Sequence, residues 1–252
     1  MYSLATDSVL RLVQVTDTHL HGPEDGHLLG MKTLHSLQCV LDIVAQQRSA
    51  IDAFVVSGDL SQDGSLLSYQ HLRNALAPFQ RPHFWFEGNH DVPETMQQAA
   101  AGTEHLERII RSQHWQLVLL NSQVVGSVFG HLADDQLQLL DQALTERPDL
   151  HTLVCLHHHP IPIESRWMDT IGLHNPDDLF AVLNKHSNVR AVLCGHVHQE
   201  SDRQVNGLRF LSSPSTCVQF TRFADDFDVD TLAPGYRWLD LHADGSIETG
   251  TV

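Results

Sequence analysis

Short apolar runs alternate with stretches of helical periodicity along most of the chain. The strand-like runs are rich in Val, Leu and aromatic residues, whereas the helical stretches place apolar residues three or four positions apart. In "TLHSLQCVLDIVAQ", for example, Leu34, Leu37, Leu41 and Val44 lie on one predicted helical face. Strands that alternate with helices in this way predict an α/β fold.

The predicted elements change in character near residue 199. Before it, strands are predicted at 9–16, 53–58, 82–88, 115–122, 151–157 and 189–195, and helices at 33–46, 66–76, 103–112, 132–144 and 176–186. After it, short strands are predicted at 208–215, 217–223 and 236–243, with a hairpin turn at "ADGS" (243–246). Strand-rich ends on both halves favour two facing mixed β-sheets flanked by helices, a four-layer αββα sandwich. We expect a single domain over 1–252, in which 199–252 completes the sandwich begun by 1–198.

Composition and charge limit the classes of partner that the protein can bind. Hydrophobic residues make up 42% of the chain, and 31 acidic residues against 15 basic ones leave a formal net charge of −16. Such an acidic body repels nucleic acid and anionic membranes, so we expect neither as a partner. The sequence has neither a signal-peptide pattern at its start nor an apolar run of 18 residues, and its four cysteines include no CxxC pair. These features predict buried free thiols and a cytoplasmic protein.

The candidate chemistry lies where five apolar strands end. Each run stops at Asp, Asn or His, usually beside a glycine: "LVQVTDTH", "FVVSGD", "FWFEGNHD", "LVCLHHHP" and "AVLCGHVH". One such ending is typical of a turn, because Gly and Asn adopt the positive φ angles that turns need. Five together indicate a site, since strand ends at one edge of an α/β sheet are where ligands bind.

The residue types indicate metal binding. Carboxylate, imidazole and amide oxygen suit borderline or hard divalent ions. Asp17 and His19, like His196 and His198, are two positions apart, so on an extended chain both side chains of each pair face the same way. The candidates are too many for one tetrahedral ion, so we predict two ions. Ions about 3.5–4 Å apart need a bridging group, which a carboxylate can supply.

The order Asp-x-His, Gly-Asp, Gly-Asn-His-Asp, His and Gly-His-x-His resembles the calcineurin-like metallophosphoesterases. The resemblance covers about residues 12 to 198, with all five blocks in order. It implies the αββα fold with a dinuclear centre between the sheets. One metal would be held by Asp17, His19, Asp59 and His198. The other would be held by Asp59, Asn89, His157 and His196, with Asp59 bridging, and Gly88 would let the backbone turn close to both.

Phosphodiester hydrolysis is the predicted chemistry. Two metals lower the pKa of a shared water, so that a bridging hydroxide can attack phosphorus in line. A sugar alkoxide leaves poorly unless it is protonated, and His90 is the predicted general acid because imidazole changes charge near neutral pH. Asn89 and His90 are therefore the predicted catalytic residues. His19, Asp59 and His198 join them as predicted substrate-binding residues.

Within the family, the chain resembles most closely the bacterial class III 3′,5′-cyclic AMP phosphodiesterases. The resemblance lies in "TDTHL", "SGDLSQDG", "HHHPIP", "CGHVHQE" and "SSPSTCVQF". It implies hydrolysis of 3′,5′-cyclic AMP to 5′-AMP by a monomer or homodimer. The expected metals are iron or manganese, although zinc or cobalt would also accept these ligands. A glycerophosphodiesterase or a broad phosphodiesterase would use the same metal ligands. A non-catalytic metal-binding scaffold should have lost ligands or the acid, yet Asp59, Asn89 and His90 are present.

The sequence also suggests positions or roles for other residues near these motifs. Asp91 is expected to orient His90 or a metal ligand. His158 and His159 are expected to pack around the site, and His21 to lie on an exposed loop or at the pocket mouth. Arg166 and Trp167 are alternative contacts for phosphate and base. The acidic segment "FADDFDVD" (223–230) is predicted to be a solvated loop.

Overall fold

The structure is a computed structural model that describes residues 1–6 and 8–252, and two large β-sheets dominate it. The strands are β1 Tyr2–Ser3, β2 Val9–Val15, β3 His27–Leu28, β4 Met31–Lys32, β5 Ala53–Ser57, β6 His83–Phe86, β7 Ile109–Arg111, β8 Trp115–Leu119, β9 His151–Leu156, β10 Val189–Cys194, β11 Ser201–Val205, β12 Leu208–Ser212, β13 Gln219–Phe220, β14 Val229–Asp230, β15 Arg237–His242 and β16 Ile247–Thr251. The helices are α1 Thr33–Gln47, α2 Leu66–Leu76, α3 Pro93–Ala99, α4 Asp134–Glu146, α5 Arg166–Asp169 and α6 Pro176–Leu183, with a 3₁₀ turn at Ala77–Phe79.

Both large sheets are mixed. One has the order β16-β15-β2-β5-β6, and the other has the order β1-β7-β8-β9-β10-β12-β11. Strands β2, β5 and β6 run parallel to one another, as do β8, β9, β10 and β12. Their carboxyl ends therefore share one edge of each sheet, which is where the predicted site residues follow.

Alternation along the strands builds three hydrophobic layers. In β2, Leu10 and Leu12 point between the two sheets, whereas Val13 and Val15 point outward against α1 and α2. A third cluster packs α4 and α6 on the outer face of the larger sheet. Strands buried on both faces read as continuous apolar runs, which explains their pattern in the sequence. The predicted four-layer αββα sandwich is confirmed.

The helix predicted over 103–112 is wrong. Residues 101–107 form turns, and Ile109–Arg111 is strand β7, antiparallel to β8 and parallel to β1. Ile110 is buried between the sheets, while its neighbour Ile109 packs against the outer cluster beneath α4. Consecutive residues on opposite faces suit a strand, whereas a helix would turn Ile110 only about 100° from Ile109.

The C-terminal segment extends both sheets, as expected. Strands β11 and β12 join the larger sheet, and β15 and β16 join the smaller, with Gly245 at positive φ in the turn predicted at 243–246. Within 217–223 only Gln219–Phe220 is strand, and it pairs with Val229–Asp230, so the segment 223–230 is not wholly a loop. The assignment of 1–252 to a single domain stays a prediction.

Three of the four cysteines, Cys155, Cys194 and Cys217, are buried free thiols, and Cys39 is exposed on α1. Burial raises the pKa of Cys194 to about 12, so its thiol stays protonated. Among the helices of the described residues, none has the length and apolar character needed to cross a membrane.

Candidate metal centre

The seven predicted ligands come together where the two sheets meet. Each lies just beyond the carboxyl end of a parallel strand: Asp17 and His19 after β2, Asp59 after β5, Asn89 after β6, His157 after β9, and His196 and His198 after β10. Backbone bonds hold the loops side by side, since His19 N–H donates to Asp59 O at 2.9 Å and Gly195 N–H to His157 O at 3.1 Å. Strand order thus places the ligand loops of each sheet side by side, and the packing of the two sheets brings the two sets together.

Five of the seven have left-handed backbones. The φ angles are 52° for Asp17, 45° for His19, 51° for Asp59, 68° for His196 and 48° for His198. Such a conformation costs on the order of 1–3 kcal/mol for a non-glycine residue and persists only where its surroundings impose it. Each of these residues turns sharply at the end of a strand, which aims its side chain at the common centre. The concentration of strain here indicates a functional site.

The ligand atoms lie close enough to share cations. His198 Nε2 is 3.3 Å from Asp17 Oδ1 and 3.2 Å from His19 Nε2. On the other side, His157 Nε2 is 3.4 Å from Asp59 Oδ2. The same Asp59 oxygen is 3.9 Å from His19 Nε2, so this carboxylate lies between the two groups. This geometry fits two adjacent ions with Asp59 between them.

Hydrogen bonds orient the imidazoles. The Nδ1 atom of His157 donates to Ser57 O at 2.8 Å and that of His198 to Val218 O at 2.7 Å, which leaves both Nε2 atoms facing the centre. In His19, Nδ1 donates to the Gln62 amide oxygen at 2.8 Å. His196 is reversed, because its Nε2 donates to Ile171 O at 3.1 Å and Nδ1 remains available. Such second partners fix the ring orientation of metal ligands.

Two of the seven predicted ligands have a buried atom with no hydrogen-bond partner among the described residues. These atoms are the Asn89 amide oxygen and His157 Nε2. A buried polar atom left unpaired costs about 1–3 kcal/mol, and a bound cation would satisfy both. The residues present therefore fit divalent metal ions.

Electrostatics favour ionised carboxylates. Burial by itself raises the pKa of Asp59, but His157, His19 and His90 together hold it well below its usual value. Burial lowers the pKa of His157, yet the Asp59 and Asp17 carboxylates outweigh it and raise the value to about 9. Against the effect of burial, His198 and His157 also hold the pKa of Asp17 below its usual value. Ionised carboxylates are what a cation needs as ligands.

Asp91 organises the loop after Asp59. Its carboxylate accepts from the backbone N–H groups of Leu60, Ser61 and Gly88 and from the Tyr69 hydroxyl, at 2.9–3.2 Å. None of its hydrogen bonds within the described chain goes to the His90 imidazole. Burial and the Asp59 charge raise the pKa of Asp91 to about 7. Of the two roles expected for Asp91, these hydrogen bonds do not involve the His90 side chain, and they instead hold the backbone beside the candidate ligand Asp59.

Two glutamines near the centre were missed by sequence reasoning. Gln62 supports His19, and the Gln123 amide donates to Gly88 O at 2.7 Å and to Asp91 O at 2.6 Å. Gln123 reaches across from the loop after β8, so no local pattern marks it. Gly88 itself has no positive φ; it is needed because a Cβ would collide with the Asp59 carboxylate.

The remaining candidates lie around the centre. His158 is buried, with Nδ1 2.8 Å from Ser122 Oγ and its ring 4.7 Å from that of His196, and its ring nitrogens are near enough to His157 and His196 to share an ion. His159 Nε2 is 3.5 Å from Asp169. His21 is half-buried beside Asp63 and does not line the pocket.

The pocket over the centre has a volume of about 270 Å³. One side presents the candidate ligands His19, Asp59, Asn89, His196 and His198, together with His90, which is exposed. The other side is apolar and includes Trp167, Phe220 and Phe227. Arg166 is exposed and is not part of the lining, whereas Trp167 is. The pocket thus joins a polar, metal-binding half to an aromatic half.

Comparison with known proteins agrees with this geometry. The calcineurin-like phosphoesterase profile matches residues 10–200. The chain is 51% identical over 246 residues to a 3′,5′-cyclic adenosine monophosphate phosphodiesterase CpdA of Pseudomonas aeruginosa, covering 98% of this chain and 90% of the relative. It is 43% identical over 248 residues to the enzyme of the same name from Escherichia coli K12, with 98% and 90% covered. A dimetal phosphatase structure from Danio rerio superposes with a TM-score of 0.67 at 17% identity, covering 98% of this chain and 99% of that one.

Strand-end ligands between two sheets, together with the profile match, define a metal-dependent phosphoesterase. The chain belongs to the calcineurin-like phosphoesterase family. The family resemblance predicted from the motifs is confirmed.

Proposed function

We propose that this protein is a phosphodiesterase that hydrolyses 3′,5′-cyclic AMP to 5′-AMP. The observation that carries the proposal is the pocket itself, in which a buried Asp/His cation site faces an open, exposed imidazole. Relatives at 51% and 43% identity over nearly the whole chain are named as phosphodiesterases for this substrate.

The proposed ligand set is the one predicted from the motifs. One ion would be held by Asp17, His19, Asp59 and His198, and the other by Asp59, Asn89, His157 and His196. When bound, the ions supply Lewis acidity to the phosphate oxygens and activate water at neutral pH. The position of Asp59 between His19 and His157 supports its bridging role.

His90 is the proposed general acid. Its backbone N–H donates to Asp59 Oδ1 at 2.8 Å, while its ring lies on the pocket surface with its centroid 5.1 Å from that of His19. The backbone of His90 is thus held beside the site, while its exposed side chain is free to face a substrate. In the proposed step, the oxygen of a water molecule forms a new bond to phosphorus, the P–O3′ bond breaks, and the His90 imidazolium gives its proton to O3′. The water oxygen stays on the phosphate, so the product is 5′-AMP. Asn89 and His90, with His19, Asp59 and His198, would contact the phosphate.

We also propose manganese or iron as the native metals, since both accept mixed carboxylate, imidazole and amide ligands. A cytoplasmic location is supported by the buried free thiols. The substrate would be a small cyclic nucleotide taken by a monomer or homodimer. The formal charge of −16 disfavours long nucleic acids, whereas two bound cations would attract a small monoanion.

A substrate panel tests the proposal. On manganese- or iron-reconstituted protein, kcat/KM would be compared for 3′,5′-cyclic AMP, 2′,3′-cyclic AMP and glycerophosphoethanolamine under one metal condition. We expect 3′,5′-cyclic AMP to lead, with 5′-AMP and not 3′-AMP as the product separated by chromatography. Glycerophosphoethanolamine ahead by tenfold, or about 1.4 kcal/mol of transition-state preference, would favour the glycerophosphodiesterase alternative. No turnover of any diester by protein that holds its metals would favour a non-catalytic scaffold.

A further inference from the structure

Three aromatic residues that are distant in sequence form one side of the pocket. Trp167 comes from α5, Phe220 from β13 and Phe227 from the loop before β14; we call them the aromatic wall. Their ring centroids are 5.2–5.5 Å apart, with interplanar angles of 65–79°. Edge-to-face packing at these distances stabilises aromatic pairs, so the three rings form one cluster.

The aromatic wall begins at the candidate metal centre. The Phe220 ring stacks on that of His198, with centroids 4.2 Å apart and an interplanar angle of 16°. A ligand whose phosphate lies at the His198 end would therefore have the remainder of its structure directed along aromatic surface. The Phe220 side chain can neither donate nor accept a hydrogen bond, so it contacts the proposed ligand His198 by stacking alone.

The far end of the wall is exposed. Phe227 is 54% exposed although it lines the pocket, and Leu29 and Val128, on other segments of the lining, are 54% and 52% exposed. Large apolar side chains gathered in the open around one pocket are typical of a binding surface rather than a core. The surface is apolar, whereas the opposite half of the pocket carries the cation ligands.

Hydrogen bonds hold the two segments of the wall together. Arg166 N–H donates to Ala224 O at 3.0 Å, and the Ser165 hydroxyl donates to the same oxygen at 3.2 Å. Thr221 N–H donates to Asp228 O at 3.0 Å, which closes the loop that carries Phe227. The indole and Phe227 are therefore fixed relative to each other before any ligand arrives.

We propose that the aromatic wall is the nucleobase subsite of this pocket and makes it selective for nucleotides over base-free phosphodiesters. The inference rests on the proposed function, because it takes the phosphate to lie at the metal centre. A base is a flat, uncharged ring joined to that phosphate through a sugar, so it would reach the wall while the phosphate stays on the cations. Stacking of a base on aromatic side chains favours binding about 5- to 150-fold.

The test measures binding rather than turnover. Dissociation constants of 5′-AMP, ribose 5-phosphate and hexyl phosphate would be measured by calorimetry on metal-loaded protein. We expect 5′-AMP to bind at least tenfold more tightly than either of the others. In Phe227→Ala this advantage of 5′-AMP should fall about fivefold or more, while the dissociation constant of ribose 5-phosphate stays unchanged. Phe227→Trp should restore the advantage.

Phe223 provides the matched control. It is a phenylalanine of the same loop, 67% exposed, but it lines a neighbouring cavity instead. Phe223→Ala should leave all three constants unchanged. Equal binding of 5′-AMP and ribose 5-phosphate, an advantage unaffected by Phe227→Ala, or hexyl phosphate binding as tightly as 5′-AMP would each overturn the subsite.

Failure of the subsite and failure of the proposed function give different results. Hydrolysis of 3′,5′-cyclic AMP without a base-dependent gap in binding would refute the subsite alone. A base-dependent gap that Phe227→Ala removes, in a protein that does not hydrolyse 3′,5′-cyclic AMP, would refute the proposed substrate and leave the subsite standing.

Discussion

Several structural constraints act together on Asp59. It is buried, has a left-handed backbone and accepts the N–H of His90, and its carboxylate lies between His19 and His157. A side chain at position 88 would collide with the same carboxylate, so only glycine fits there. The surroundings thus fix one carboxylate in one place, as a bridging ligand requires.

The first prediction concerns metal content. Asp59→Ala should lose both ions, because it removes the only ligand shared by the two proposed sites. Elemental analysis after a mild chelator wash should find about two ions per chain in the unaltered protein and close to none in the variant. Asp42→Ala, on the exposed face of α1, is the control and should keep both. Two ions retained by Asp59→Ala would refute the bridging role.

The second prediction separates His90 from the ligands. His90→Ala should keep its metals yet lower kcat on 3′,5′-cyclic AMP about 10²–10⁴-fold, because the alkoxide would leave unprotonated. On bis-p-nitrophenyl phosphate, whose leaving group needs little protonation, the loss should be smaller. Equal losses on both substrates would instead assign His90 to positioning the phosphate.

At the scale of elements, alternation within strands decides which side chains are buried where. β6 directs Phe84 and Phe86 between the sheets and Trp85 outward against the helices. His83, at the start of β6, follows the same outward direction as Trp85. Its ring stacks on that of His105, with centroids 3.7 Å apart. The elements thus leave a stacked imidazole pair, with His83 buried, that is not part of the candidate metal centre.

The third prediction is a pH dependence of stability. Burial, then the neighbouring His105 and Arg73, lowers the pKa of His83 to about 3. Below its ordinary value near 6.5 the unfolded chain takes up a proton that folded His83 refuses, so stability should fall as pH drops from 7 towards 4. His83→Phe keeps a flat ring without the charge. Its free energy of unfolding should lose about 2 kcal/mol less than that of the unaltered protein between pH 7 and pH 5.

Denaturant unfolding at both pH values measures this effect. His35→Phe, at an exposed position of α1, is the matched control and should leave the pH dependence unchanged. If His83→Phe and the unaltered protein lost equal stability between pH 7 and pH 5, the folded His83 would have to accept its proton as readily as the unfolded chain does.

At the scale of the whole molecule, the two sheets are joined by hydrogen bonds at several places, and one of them is Arg237. The Arg237 guanidinium is buried on β15 of the smaller sheet and donates to Ser201 O and Ser212 O of the larger one at 2.7–3.2 Å. The ligands likewise come from both sheets. Whatever binds them therefore links the two halves of the sandwich.

The fourth prediction follows from that link. Removing the metals should lower the melting temperature, because ions bind the folded centre and not the separated ligands. Metal at about 100 times its dissociation constant would contribute about 2.7 kcal/mol, or roughly 5–10 °C for a chain of this size. Differential scanning calorimetry with and without a chelator measures the shift. Asp59→Ala should show almost none, whereas a full shift in that variant would indicate that other histidines hold the stabilising ions.

Much of the fold and of the candidate site could be predicted from the sequence alone. Apolar runs buried on both faces predicted the strands, and the Asp, Asn and His residues that end them predicted the cluster at 17, 19, 59, 89, 157, 196 and 198. Both signals are local, because strand period and turn chemistry depend on neighbouring residues. Short elements were missed or misassigned for the same reason: Ile109–Arg111 has too few residues to show a period, and its strand form depends on β1 and β8.

The tertiary structure decided what depends on contact between distant segments. Gln123 holds the Gly88–Asp91 loop from another sheet, Asp91 holds the backbone after Asp59, and Phe220 stacks on His198. Trp167 and Phe227 meet although 60 positions separate them in the sequence. A contact of this kind has no periodicity and no fixed spacing, because it arises only when packing of the two sheets brings the loops together. The candidate metal ligands were therefore readable along the chain, whereas the residues that surround the candidate metal centre became visible only in the fold.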